Sequence, residues 1–202
     1  MSKAMKRLVD VLISFVALLI LAFPMLVIAL MILLVDGSPI LFRQQRPGYR
    51  AIPFTVLKFR TMEAGAGVAT DEQRLTRLGR LLRSLSLDEL PQLWNVLKGE
   101  MSLVGPRPLL MQYLDRYTPE QGRRHNMKPG ITGWAQVNGR NALNWPERLA
   151  MDVWYVDNWG LVLDARILAN TISQVLMRKG ISRKGEATMS EFMGNENSAA
   201  HS

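Results

Sequence analysis

The hydrophobic residues of this 202-residue chain are concentrated near its N-terminus. Residues 11–35 form an uncharged apolar run bracketed by Asp10 and Asp36. As a helix this run is about 37 Å long, enough to cross the roughly 30 Å hydrocarbon core of a bilayer. A cleaved signal peptide fits badly, because the run is too long and no small-residue cleavage site follows it. The run therefore predicts a membrane element that is retained, with a buried core helix as the alternative.

This element has a proline near its middle and basic residues on both sides. Pro24 removes a backbone donor and predicts a kink. Lys/Arg-rich flanks stay on the cytoplasmic side of a membrane. Both flanks qualify here, with Lys3, Lys6 and Arg7 before the run and Arg43, Arg46 and Arg50 after it. A kinked spanning helix would carry one flank across the bilayer, whereas a re-entrant helix broken at Pro24 would keep both inside. The sequence leaves these two topologies open.

Beyond residue 36 the pattern becomes that of an α-rich α/β domain. Residues 39–42 and 54–59 are short strand-like runs separated by a turn-rich segment. Thr70 opens a helix with a capping-box pattern, and leucines continue it to Leu85. The arginines of this helix indicate either docking at a membrane surface or a solvated basic face. We predict three regions: a membrane-embedded helix over 1–36, an α/β domain on the cytosolic face over 37–186 and a flexible tail over 187–202.

Composition narrows the possible chemistry. The 25 Lys and Arg residues exceed the 17 Asp and Glu residues, giving a net charge of +8. This excess predicts an anionic partner: a nucleic acid, an anionic lipid or a phosphorylated substrate. The absence of cysteine excludes disulfides, thiolate zinc sites and cysteine nucleophiles, and two histidines are too few for a histidine-rich metal site. The groups that remain available for catalysis or binding are carboxylates, arginines, hydroxyls and the backbone.

The strongest candidates for chemistry are two adjacent carboxylates, Asp88 and Glu89. They precede Pro91, which is typical of the first turn of a helix. The dipole at a helix N-terminus favours ionised carboxylates, as a nucleophile or a ligand of a divalent ion requires. A pair of capping acids, with Ser86 and Glu89 forming a capping box, is the alternative interpretation.

Two further segments favour a site for phosphate groups. Arg107 stands between Pro106 and Pro108, so its backbone loses little entropy when its guanidinium binds a phosphate. Residues 128–141 combine three glycines with basic and amide side chains, more polar groups than the hairpin-type Asn138-Gly139 turn would need.

With these motifs in this order, the sequence resembles the bacterial sugar transferases. It is most similar to the small monotopic polyprenyl-phosphate phosphoglycosyl transferases of the PglC type. The resemblance covers nearly the whole chain, and the segments that carry it are the apolar run with Pro24, residues 58–62, 83–93, 105–109 and 128–141, Asp152 with Tyr155, and residues 180–188.

The resemblance implies a fold and a reaction. The expected fold is a re-entrant membrane helix, interfacial amphipathic helices and a small α/β catalytic core. The expected reaction moves a sugar-1-phosphate from a UDP-sugar to undecaprenyl phosphate, requires Mg²⁺ and releases UMP. The bacterial inner membrane is the expected location, with the active site on the cytoplasmic face. The expected partners are the UDP-sugar, undecaprenyl phosphate and membrane lipid.

The resemblance also assigns roles to residues. Asp88 would be the nucleophile that forms an aspartyl-phosphosugar intermediate, Glu89 would assist it, and both would lie at the Mg²⁺. The implied substrate-binding residues are Lys58, Arg60, Arg83, Arg107, Gln136, Asn138, Arg140, Asp152 and Tyr155. One departure concerns the membrane helix, where Phe23 stands before Pro24 in place of the serine expected to help the bend.

Three questions stay open. No residue decides which sugar is transferred, which glycan the product enters, or the oligomeric state.

Two other classes of protein are alternatives to the transferase. A membrane-anchored scaffold would account for the apolar run and the charge. A tethered nucleic-acid binder would account for the charge, but no nucleic-acid recognition motif is present and we expect no nucleic-acid partner.

Overall fold

A computed structural model describes residues 3–63, 70–139, 143–176 and 191–194. In these residues eight α-helices and four short strands follow one another in the order α1-β1-β2-α2-α3-α4-β3-α5-β4-α6-α7-α8. The helices are Lys3–Val35 (α1), Asp71–Arg74 (α2), Arg77–Ser84 (α3), Gln92–Lys98 (α4), Pro119–Gly122 (α5), Trp134–Val137 (α6), Trp145–Asn158 (α7) and Leu161–Leu176 (α8). The strands are Leu41–Pro47 (β1), Pro53–Phe59 (β2), Ser102–Val104 (β3) and Gly130–Thr132 (β4).

Two small sheets support the helices. β1 and β2 form an antiparallel hairpin in which Leu41 pairs with Phe59. This confirms the second predicted strand, but the first, predicted over 39–42, runs on to Pro47 because residues 43–47 pair with β2. β3 and β4 pair in parallel, with Val104 opposite Thr132. The main apolar core lies between these sheets and the helices, and Val96, Met101, Val104 and Ile167 are at its fully buried centre. The α-rich α/β prediction is thus confirmed in its general form.

α1 is long and apolar enough to cross a membrane, and Pro24 lies inside it without ending it. One stripe of this helix packs along most of its length on the domain that follows it. Ala17, Leu18 and Leu21 pack against the core, and Ile28 and Ile32 form a second cluster with Phe59 and Leu82. The opposite face exposes large apolar side chains such as Leu12, Phe15, Ile20, Phe23 and Leu34.

The buried stripe of α1 begins with polar residues that bind the domain directly. Lys6 Nζ donates to Asp164 Oδ2 at 2.5 Å and to the carbonyl oxygen of Val104 at 3.0 Å. Arg7 donates to the carbonyl oxygens of Val96 and Leu97 at the end of α4. These bonds join the start of α1 to β3 and α4.

The helix predicted over residues 70–85 is divided in two. The capping box at Thr70 is present, since Thr70 and Gln73 exchange side-chain to backbone bonds. At Leu75 the backbone is extended and forms a bridge with Met62, and the Thr76 N–H donates to Thr61. Thr76 then caps α3 through the Gly79 N–H. Backbone pairing with residues 61–63 therefore interrupts a helix that local propensity alone would continue.

The predicted flexible tail is wrong for residues 191–194. Phe192 is only 1% exposed and packs against Tyr113, Tyr117 and Trp145. Arg116 binds both the Glu191 carboxylate and the Phe192 carbonyl oxygen. The remainder of the tail prediction lies outside the described residues.

Candidate active site

The two candidate carboxylates lie in a tight turn between α3 and α4. Residues Leu87–Glu89 form one 3₁₀ turn, and Ser86 before it has the left-handed conformation (φ 56°, ψ 21°). Such a backbone is costly for a residue other than glycine and is common at functional sites. Ser86 makes no capping bond, so the capping-box alternative is wrong. α4 begins only at Gln92, after Pro91.

Glu89 is bound by two cations. Its Oε1 accepts hydrogen bonds from Lys58 Nζ and Arg107 Nη2, both at 2.6 Å. Lys58 comes from β2 and Arg107 from the proline-rich turn after β3, so Glu89 joins three parts of the chain that are distant in sequence. Lys58 and Arg107, which were predicted to neutralise the diphosphate of the donor, therefore both lie beside the dyad.

The two carboxylates have opposite electrostatic environments. Burial and the charge of Glu89 raise the pKa of Asp88, although Lys58, Arg83 and Arg107 act to lower it. Burial would also raise the pKa of Glu89, but Arg107 and Lys58 overcome this effect and hold it well below its usual range. The expected lowering of both pKa values by a helix dipole is therefore wrong for Asp88, because burial dominates.

The dyad lines a cavity of about 1870 Å³ whose walls carry many cations. Besides Lys58, Arg83 and Arg107, the walls include Arg46 and Arg148, which the sequence interpretation did not assign to a substrate. Burial and the nearby charge of Arg107 lower the pKa of each of these two arginines to about 10. They remain cationic at neutral pH and face the same space as Arg107. No sequence signal set them apart from the other arginines.

A buried ion pair fixes the backbone of Arg107. Arg124 donates through Nη2 to Asp152 Oδ2 at 2.7 Å, and the same nitrogen donates to the Arg107 carbonyl oxygen at 2.6 Å. The side chains of Arg124 and Asp152 are at most 2% exposed. Asp152 also lines the cavity, but its described partner is Arg124, which the sequence interpretation missed.

Three other predicted residues also line the cavity: Arg60, Arg83 and Gln136. Arg83 donates from Nε to Thr61 Oγ1 at 3.0 Å. Arg60 donates to the carbonyl oxygens of Asp36, Gly37 and Ser38, so its guanidinium binds the backbone that directly follows α1. Both amide atoms of Gln136 are buried without a hydrogen-bond partner among the described residues.

The structure does not bring the remaining predicted residues to the cavity. Tyr155 is fully buried, and its hydroxyl binds Asp164 and the Val104 carbonyl oxygen, so the prediction that it contacts substrate is wrong. Asn138 is exposed and donates to the Trp134 carbonyl oxygen. It lies at the end of α6, where the sequence had indicated a hairpin turn. Arg140 lies outside the described residues.

A hard divalent ion is compatible with this site through Asp88. No group of three or more His, Cys, Asp or Glu side chains in the described residues could hold a metal ion. Mg²⁺, however, commonly takes one or two protein carboxylates and completes its shell with phosphate oxygens and water. The Asp88 carboxylate forms no hydrogen bond within the described residues, whereas Glu89 is already bound by Lys58 and Arg107. Asp88 therefore fits such an ion better than Glu89.

The chain matches known proteins over almost its whole length. Residues 1–178 match the family model described as Bacterial sugar transferase. The sugar transferase EpsL of Bacillus subtilis is 56% identical over 163 residues, covering 79% of this chain and 81% of that protein. A UDP-glucose:undecaprenyl-phosphate glucose-1-phosphate transferase of Caulobacter vibrioides is 43% identical, covering 85% of this chain and 69% of that protein.

A longer relative also matches most of this chain. The undecaprenyl-phosphate galactose phosphotransferase of Salmonella typhimurium is 38% identical over 200 residues, covering 89% of this chain. This chain spans only 42% of the length of the Salmonella protein.

Proposed function

The chain belongs to the bacterial sugar transferase family, and from that premise we propose that it moves a sugar-1-phosphate from a UDP-sugar to undecaprenyl phosphate. The observation that carries the proposal is the Asp88–Glu89 pair, which lies in a cation-lined cavity next to a membrane-type helix. These three features would supply a nucleophile, neutralisation of phosphate charge and access to a membrane-bound acceptor.

The first step is attack by Asp88 on the donor. A carboxylate oxygen of Asp88 forms a bond to the phosphorus that bears the sugar, and the bond from this phosphorus to the bridging oxygen breaks. UMP leaves with that oxygen, and the sugar-1-phosphate remains on Asp88 as an acyl phosphate. Asp88 is suited to this role because its carboxylate lines the cavity and no hydrogen bond from a described residue blocks it.

The second step returns the enzyme to its initial state. A phosphate oxygen of undecaprenyl phosphate attacks the same phosphorus, and the bond to Asp88 breaks. The product is a lipid diphosphosugar and a free Asp88 carboxylate. No proton needs to be supplied in either step, which agrees with the absence of a histidine from the cavity lining among the described residues.

The cations supply charge stabilisation and position. Phosphoryl transfer depends mainly on positioning and on neutralising the charge of the phosphate oxygens. Glu89 holds Lys58 and Arg107 at the dyad through its two 2.6 Å bonds. The Arg124–Asp152 pair holds the Arg107 backbone. We assign Glu89 mainly to positioning these cations.

Mg²⁺ is part of the proposal. Asp88 would hold the ion together with phosphate oxygens of the donor, and Glu89 could join only by releasing part of its bonding to Lys58 or Arg107. Bound there, Mg²⁺ would neutralise charge on the diphosphate.

For topology, we infer a re-entrant membrane helix with both ends on the cytoplasmic face of the inner membrane. Lys6, near the start of α1, binds Asp164, while Asp36, just after its end, binds Thr76 and Arg60. Both ends of α1 are therefore fastened to one domain. Basic residues on both flanks favour the cytoplasmic side for that domain.

A panel of UDP-sugars tests the function. UDP-glucose, UDP-galactose and UDP-N-acetylhexosamines are each mixed with the protein, Mg²⁺ and undecaprenyl phosphate, and UMP is measured. We expect one sugar to give rapid UMP release and a lipid diphosphosugar. Without the acceptor, that sugar should give a burst of one UMP per enzyme and a mass increase of one phosphosugar on the peptide containing Asp88.

Two other results would change the conclusion. UMP that appears only after undecaprenyl phosphate is added, with no adduct, would replace the covalent mechanism by direct transfer. No UMP with any donor would favour the scaffold alternative.

A further inference from the structure

The catalytic cavity is larger than one substrate requires. Its volume of about 1870 Å³ exceeds the roughly 300–1,000 Å³ of clefts that hold a drug-sized molecule. Its walls also differ in chemistry. On the side of β1 and α2 they combine apolar residues such as Ile40 and Phe42 with charged ones, Arg43, Glu63, Asp71 and Arg74. On the side of α1, β4, α6 and α8 they form what we term the apolar groove: Ala17, Leu21, Ile131, Ala135, Leu168 and Ile172.

We propose that the apolar groove binds the first isoprene units of the polyprenyl phosphate acceptor, and that the donor nucleotide occupies the charged side. This inference rests on the proposed function, because it assigns the acceptor of that reaction to one part of the cavity.

The first argument is continuity with lipid. Ala17 and Leu21 belong to α1, whose opposite face exposes apolar side chains along the membrane-type segment. A prenyl chain that enters beside α1 therefore passes from lipid to protein without exposing its apolar surface to water. The alanines at positions 17 and 135 leave space that larger side chains would fill. The stretch of α8 from Leu168 to Ile172 and its next turn is about 10 Å long, which suits the first few isoprene units.

The second argument concerns the polar end of the groove. Gln136 follows Ala135 in α6, and both of its amide atoms are buried without a partner among the described residues. The nearby Thr171 hydroxyl is already bonded to Thr132 and to the Ile167 carbonyl oxygen. The Gln136 amide is therefore available to donate to an acceptor phosphate oxygen. The cations around Asp88 supply the complementary charge for the same phosphate.

A matched pair of substitutions on α8 tests the groove. Ile172 is exposed and lines the cavity, whereas Val162 is exposed on the same helix and does not line it. Ile172→Glu places a charge where the prenyl chain would lie, and we expect the KM for undecaprenyl phosphate to rise by at least about tenfold. The UMP burst from donor alone should be unchanged. Val162→Glu should leave both quantities within about twofold of the unmodified enzyme.

Acceptor length gives a second readout from the same variants. A short, soluble prenyl phosphate occupies little of the groove, so the KM difference between Ile172→Glu and the unmodified enzyme should shrink with it. Three results would each overturn the proposal. Ile172→Glu could weaken the donor burst as much as it weakens acceptor binding, it could have the same effect as Val162→Glu, or it could have no effect.

Photolabelling locates the acceptor without requiring turnover. A polyprenyl phosphate carrying a diazirine in its first isoprene units is bound to the full-length protein in detergent, with excess undecaprenyl phosphate as competitor. We expect competed labelling on peptides from α1, α6 and α8. Competed labelling confined to residues 39–42 or 71–74 would overturn the groove assignment while leaving the transferase reaction intact.

The function and the groove can fail separately. If no donor gives UMP and no labelling is competed, the proposed function itself has failed. If UMP is released but competed labels lie elsewhere, only the groove assignment has failed.

Discussion

Glu89 is the residue on which the charges of the active site converge. Its Oε1 binds Lys58 and Arg107, and it stands next to Asp88 in one 3₁₀ turn. Glu89 thus raises the pKa of Asp88 by its own charge while it holds the cations that lower it. A change at Glu89 alters both effects together, which is why its substitution is harder to interpret than a change at Asp88.

Asp88→Asn should reduce sugar-phosphate transfer to background. The amide keeps the shape of the side chain but cannot form the acyl phosphate, so the loss should reach several orders of magnitude. The donor burst and the mass adduct should disappear as well. Glu89→Gln should also be severely impaired but should retain a detectable adduct. An Asp88→Asn enzyme that still forms the adduct would show that the nucleophile lies elsewhere.

The pH dependence of the donor burst should report on Asp88. The raised pKa means that Asp88 becomes protonated, and loses nucleophilicity, at a higher pH than the usual value of about 3.9. The burst rate should therefore fall as pH is lowered, with its acid limb above that value. Arg83→Gln should move the limb to higher pH, because Arg83 lowers the pKa of Asp88. An unshifted limb in Arg83→Gln would contradict this assignment. Arg77→Gln, on the exposed side of α3, serves as the control.

At the scale of elements, α1 is part of the folded domain as well as a membrane segment. Lys6 binds Asp164 and Val104, and Asp10 accepts a hydrogen bond from the Leu103 N–H. Val104 and Leu103, which make two of these bonds, belong to β3, and β3 leads directly into the turn that carries Arg107. The start of the membrane helix therefore supports the strand on which an active-site cation depends.

Lys6→Met should destabilise the protein by about 3–5 kcal/mol, since it leaves the buried Asp164 without its cation. The midpoint of thermal unfolding in detergent measures the effect. Lys3→Met, at an exposed position on the same helix, is the control and should change the midpoint little. Lys6→Met combined with Asp164→Leu should recover part of the loss. If the double variant is no more stable than Lys6→Met alone, the unpaired carboxylate is not the cause.

The C-terminal segment should have two parts with different importance. From sequence, a chain ending at residue 194 should keep its activity within a few-fold. A chain ending at residue 190 also loses Phe192, whose removal from its aromatic cluster should cost about 3–5 kcal/mol. The midpoint of thermal unfolding of the two truncated chains provides the comparison. Equal midpoints would mean that Phe192 contributes little to the fold.

At the scale of the whole molecule, the attachment of both ends of α1 to one domain supports the proposed re-entrant topology. A helix that crossed the bilayer would have to separate Lys6 from Asp164 or Asp36 from Thr76. Breaking the buried Lys6–Asp164 pair is costly, so the folded domain favours both ends on one side.

Single cysteines at Ser2 and Ser38 test this topology, because the natural chain contains no cysteine. In intact spheroplasts a membrane-impermeant thiol reagent should label neither position, and after lysis it should label both. Labelling of one position alone in intact spheroplasts would establish a spanning helix. Pro24→Ala restores the missing backbone donor inside α1, which should favour a straight helix and increase any spanning fraction.

The sequence by itself determined the features that depend on local pattern and on residue type. The membrane-type helix, the β1–β2 hairpin and the capping box at Thr70 follow from hydrophobic runs, turn residues and capping patterns over a few neighbouring residues. The long motifs were specific enough to indicate the family and the Asp88–Glu89 pair, because a nucleophile and its supporting charges need particular residue types in a fixed order.

Only the tertiary structure decided which distant residues meet. Burial raises the pKa of Asp88, whereas Arg107 and Lys58 hold the pKa of Glu89 low, and both effects depend on packing that no local pattern records. The same holds for the placement of Tyr155 with Lys6 and Asp164, away from the cavity, and for the buried Phe192 in a segment that reads as a polar tail. Arg46, Arg124 and Arg148 are ordinary arginines in the sequence. Their positions around Arg107 result from contacts between strands and helices far apart in the chain, where long-range packing outweighs local propensity.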